Sequence, residues 1–254
     1  VAAPRTKRAP IFKKAWLLPA AGGAAGLIVL GALLTWGLSA YMTSQEKQEI
    51  RAAAGEAGDS GSREAIEAVI ARIGDSDDEE LRALEARLLA TLTFEHDQDH
   101  ATEIGLLLAG LTAEEASTDA AVATALAALA RADPQAADMA LRGLTAQGEQ
   151  IPEAFRARGY AMAALGDWAE AENAARQAVD QRPTSPRHIA FHALAKHRTG
   201  ETAGALTLLA GIPGGEQHPA VRIARARILL DGGSDPTQAV QEANAVIDEL
   251  AGLA

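Results

Sequence analysis

Histidines and clustered carboxylates are the side chains of this sequence whose types and spacing invite metal or acid–base chemistry. His188 and His192 stand four apart, so on a helix they share a face, with His197 one turn further on. A zinc site needs at least a third ligand, and the next positions hold Lys196 and Arg198, which repel a cation. These histidines are therefore expected to line a groove or face solvent. The run Glu95-His96-Asp97-Gln98-Asp99-His100 is dense in potential ligands. It lacks the glycine at the sixth position and the glutamate at the twelfth that a calcium loop requires, and is expected as a solvated turn. The acids from Asp75 to Glu80 suit the positive end of a helix. No nucleophile elbow, phosphate-cradling glycine loop or zinc-protease motif occurs; Gly211 to Gly215 and Gly232-Gly233 read as turns between helices. The residues predict no catalytic centre, no metal site and no cofactor, and an enzyme is not expected. The absence of cysteine excludes disulfides, thiol catalysis and zinc–thiolate sites.

The elements that carry these residues begin with a hydrophobic segment. Five basic residues, Arg5, Lys7, Arg8, Lys13 and Lys14, precede an uncharged run from Ala15 to Gln45. From Trp16 to Trp36 a helix rises roughly 30 Å, the thickness of the bilayer hydrocarbon core. Trp16, Trp36 and Tyr41 stand at its two ends, where aromatic residues favour the membrane interface. The run predicts a transmembrane helix over 15–43. The basic tail 1–14 then stays cytoplasmic and the remainder lies outside the cytoplasm. A cleaved signal peptide is the rival, but its apolar stretch runs only about 7–15 residues. Gly22 and Gly26 form a G-x-x-x-G pair, a candidate contact for a second transmembrane helix.

All 34 acidic residues and 18 of the 23 basic ones follow this segment, a net charge of −16. That sign argues against nucleic acid or anionic lipid as a partner of the downstream part. Aromatic residues make up 4% of the chain, too few for a sheet core but compatible with closely packed, alanine-rich helices. A helical stalk is expected over Ser44–Ala54, a flexible break over Gly55–Gly61 and the helical body over 62–254; 44–61 is taken as a stalk and linker.

The body repeats. With Pro152 as position 1 of a 34-residue unit, Phe155 is position 4, Gly159 is 8, Gly166 is 15, Ala171 is 20, Ala178 is 27 and Pro183 is 32. Steps of 34 place alanine at position 20 each time: Ala137, Ala171, Ala205 and Ala239. Position 8 gives Ala125, Gly159, Ala193 and then Arg227, which breaks the rule for a small residue. The in-phase units are 118–151, 152–185, 186–219 and 220–254, with fainter helices from Ser62, Glu79 and Ala101.

The segment PEAFRARGYAMAALGDWAEAENAARQAVDQRP resembles the tetratricopeptide repeat (TPR) closely. The resemblance, over roughly 60–254, implies a TPR-like α-solenoid of about five helix pairs, so that with the expected transmembrane helix before it the fold is all-α. Small residues at 8 and 20 would bring the two helices of a pair together, and the first helices would line a groove for partner proteins. The positions expected in that groove are Glu153, Arg156, Tyr160 and Ala163, then Arg187, Ala190, Leu194 and His197, then Val221, Ala224, Ile228 and Asp231. Arg156, Tyr160, Arg187 and His197 would form its basic, partly aromatic patch, suited to an acidic peptide or a terminal carboxylate. The layout is similar to that of bacterial envelope proteins. It implies a scaffold or adaptor of the inner membrane whose repeat domain faces the periplasm; the alternative is a structural subunit of a large membrane complex.

Overall fold

The computed structural model describes residues 44–111, 118–147 and 151–232, with single helical positions at 237, 240, 241 and 244. The chain divides into two compact units, Val1–Glu49 and Ile50–Ala254. In the first, residues 44–49 are helical. The expected span 15–43, with Gly22 and Gly26, lies outside the described residues. Among the described residues, no helix is long and apolar enough to cross a membrane.

The second unit is all-helical among its described residues. It opens with helical residues 50–60, called α1. There follow α2 (Arg63–Ile73), α3 (Glu79–His96), α4 (Ala101–Ala109), α5 (Thr118–Ala130) and α6 (Pro134–Gln147). Then come α7 (Pro152–Ala164), α8 (Trp168–Gln181), α9 (Pro186–Arg198), α10 (Thr202–Ala210) and α11 (Pro219–Gly232). The helix starts follow local chemistry. Ser62, Asp78, Asp167 and Ser185 each accept a hydrogen bond from the backbone N–H three residues on, and Pro152 and Pro186 fill first-turn positions where no N–H is needed.

Consecutive helices pack in pairs: α3 with α4, α5 with α6, α7 with α8, α9 with α10. The first helices of these pairs, α3, α5, α7 and α9, and after them α11, also touch one another in order. The small residues predicted at positions 8 and 20 sit at these contacts: Ala125, Ala137, Ala171, Ala193 and Ala205 are all fully buried. At Gly159 a side chain has no room, since a Cβ there would lie 2.4 Å from the Phe191 ring and 3.4 Å from the Ala171 carbonyl.

The turn inside the α5/α6, α7/α8 and α9/α10 pairs has one geometry. Gly166 and Gly200 adopt φ of +85° and +102°, and the next residue donates its N–H back to the carbonyl five residues earlier, Asp167 to Met162 and Glu201 to Lys196. Ala132 holds the same place between α5 and α6 with φ of +57°, and Asp133 donates to Ala128. The turn is therefore imposed by the packing of the pair even where the residue disfavours it.

The flexible break expected over 55–61 is helical through Ser60. Ile50, Ala54 and Ala57 of α1 are buried with Ile66 of α2 and Leu84 and Leu88 of α3, and that burial outweighs the low helix propensity of Gly55 and Gly58.

Candidate functional site

The expected basic patch is divided by the structure into a closed end and an open end. At the closed end Arg156 is 3% exposed. Its partner is Glu95, at the end of α3, at 3.4 Å. The second oxygen of Glu95 accepts a hydrogen bond from Arg187. Burial alone would raise the Glu95 carboxyl, but the two guanidiniums hold it below the ordinary carboxylate range. Arg187 also donates to the Gly58 carbonyl at 2.7 Å, and Arg182 to the Gly55 carbonyl at 3.3 Å. Arg182 lies 3.1 Å from Asp59 and 3.2 Å from Glu153 as well. Arg187 thus meets the last turn of α1, where the helix dipole favours positive charge, and Arg182 meets the helix one turn earlier. Glu95 is thus a buried clamp between helices, not part of a solvated turn; the turn begins after it, where Asp97 takes a left-handed backbone and Asp99 caps the start of α4.

The histidines expected to line the groove or face solvent do otherwise. His188 is 1% exposed and His192 9%. Burial, reinforced by Arg156, pushes the His188 imidazole down to about 3. His192 is lowered by burial too. Both are neutral core side chains near neutral pH. His197 accepts from or donates to the Thr202 hydroxyl through Nδ1 at 2.9 Å, beside the groove instead of in it. No group of three or more potential ligands placed to hold a metal ion occurs among the described residues.

The open end is a groove of about 380 Å³ between α7, α9 and α11. Its floor is apolar: Ala163, Ala190, Phe191 and Leu194, with Ala220 and Ile223 on the far side. Tyr160 closes one side, held between two other rings, tilted at a centroid distance of 5.4 Å from Phe94 and edge-on at 4.4 Å from Phe191. The charged lining is Arg187, Arg198, Arg227 and Asp231. Arg198 lies over the Trp168 ring at 5.3 Å and pairs with Asp231 at 3.2 Å. Arg227 is exposed and has no ion-pair partner among the described residues.

Of the expected groove positions, Tyr160, Ala163, Arg187, Ala190, Leu194 and Asp231 line this groove. Glu153 and Arg156 are buried in the clamp network, and Val221, Ala224 and Ile228 are fully buried in the core. The last three fail for one reason. Pro219, which opens α11, comes one residue earlier than a strict step from Pro186. With that slip the groove positions become Ala220, Ile223 and Arg227, and buried Ala226 takes the small position 8. The signal was in the sequence: Arg227 broke the small-residue rule, and Pro219 restores the proline seen at 152 and 186.

No family model matches this chain, and neither a curated protein nor a solved structure does.

Proposed function

We propose that the chain is a membrane-anchored, TPR-like scaffold that binds partner proteins on the extracytoplasmic side and serves the assembly or chaperoning of an envelope complex. Residues 15–43 supply the anchor and the paired helices from α3 onward form a solenoid. The groove between α7, α9 and α11 carries this reading. It is a cavity lined by apolar and charged side chains of the three helices α7, α9 and α11, packed in that order, and such surfaces bind peptides and protein segments. The test is co-purification of the intact chain from membranes, with mass spectrometry of what accompanies it. Client proteins below equimolar amount are expected, and Ala163→Trp, which fills the groove, should remove them. Partners that persist unchanged in Ala163→Trp would sink the groove as the binding surface. A single stoichiometric assembly would favour a structural subunit instead.

A further inference from the structure

The charges around the groove narrow the chemistry of what enters it. Three guanidiniums, those of Arg187, Arg198 and Arg227, face the cavity against one carboxylate, Asp231. They do so in a body whose net charge is −16. Two of the three are already engaged, Arg187 with Glu95 and Arg198 with Asp231. Arg227 is exposed and without an ion-pair partner among the described residues. It stands one helical turn from Ile223, which is 42% exposed at the edge of the apolar floor. An unpaired guanidinium beside an open apolar pocket matches a ligand that carries a carboxylate next to an apolar side chain. Within the same body a carboxylate already docks on this set of helices, since Glu95 of α3 reaches Arg156 of α7 and Arg187 of α9.

Resting on the reading of this domain as a protein-binding one, we infer that the α7/α9/α11 groove takes a short acidic segment of the partner, its apolar side chain seated on Leu194, Phe191 and Ile223 and its carboxylate paired with Arg227. A small free anion would leave the apolar floor wet, and a basic segment would meet three guanidiniums. The clamp arginines Arg156 and Arg187 hold the fold together; selection of the partner falls to α11.

The full chain is placed in phosphatidylcholine nanodiscs, with empty discs as the blank, and titrated against fluorescein-labelled synthetic peptides by fluorescence anisotropy. One peptide alternates Asp and Leu, a second has Lys in place of Asp, and a third has Ser in place of Leu. Binding of the Asp/Leu peptide is expected, weaker binding at higher ionic strength, and none for the other two. Arg227→Glu should weaken the Asp/Leu peptide by about tenfold or more, and Arg227→Gln by less. Arg131→Glu, on the α5–α6 turn, should change nothing, and a melting curve for each variant confirms that it folds. Equal affinity in Arg227→Glu and the parent, or equal affinity for the Lys/Leu peptide, overturns the inference. Clients lost in Ala163→Trp while the Asp/Leu peptide never binds would overturn the acidic assignment alone and leave the scaffold standing.

Discussion

Ala132 shows how far packing overrides residue preference. It sits in the left-handed region at φ +57°, where a Cβ costs roughly 1–2 kcal/mol. Gly166 and Gly200 make the same turn without that cost. Ala132→Gly should therefore stabilise the folded chain by about 1 kcal/mol despite the entropy glycine adds to the unfolded state, read as a higher melting temperature. His188 gives a pH signature. Its folded value of about 3 lies below the ordinary 6.5, so between those values the unfolded chain binds the proton and the folded chain does not. Stability is complete above about pH 6.5 and declines as pH falls toward 3, by at most about 1.4 kcal/mol per pH unit. His192 and His218, also lowered by burial, add to the decline. A melting temperature that falls less steeply with acid in His188→Leu than in the parent is the expected result. Neither histidine's burial was legible from its spacing, because i, i+4 says which residues share a face and not what covers that face.

Among the elements, the helices from Ser62 onward were legible because apolar periodicity ran between boundaries marked by acids at helix starts, prolines at 152 and 186 and turn glycines at 166 and 200. Three things were not. The glycines at 55 and 58 disguised the end of a packed helix, since local composition carries no trace of the distant arginines that meet it. Glu95 read as the start of a polar loop for the same reason. The one-residue slip before α11 rotated the expected row by about 100°, enough to exchange a groove row for a buried one. Glu95 is the element-scale test. Glu95→Gln leaves Arg156, 3% exposed, without its direct ion-pair partner, and removal of one member of a buried pair costs about 3–5 kcal/mol. Urea unfolding should show a loss of that size; a loss comparable to that of an exposed pair, such as the half-exposed Arg63–Glu67, would mean that Glu95 does not hold α3 against α7 and α9.

For the molecule as a whole, the border between the two units at Glu49 and Ile50 sets where the chain can be cut. A fragment beginning at Ser44 keeps Ile50, Ala54 and Ala57 in the core and should unfold cooperatively. One beginning at Ser62 loses these residues, along with the carbonyls that Arg182 and Arg187 meet. It should melt at a clearly lower temperature and exchange the backbone amides of α2 and α3 faster, as hydrogen–deuterium exchange would record. Equal melting temperatures for the two fragments would show that α1 is dispensable.

In a repeat solenoid each module answers only to its neighbours, so a copy can be gained or lost without disturbing the rest. Here Arg187 reaches back 92 residues to Glu95 and 129 to Gly58, and those ties bridge whole modules. An extra copy spliced between α4 and α9 would carry the guanidinium away from its carboxylate, so insertion within that stretch breaks the clamp, whereas addition beyond α9, on the side where Arg227 waits, leaves it intact.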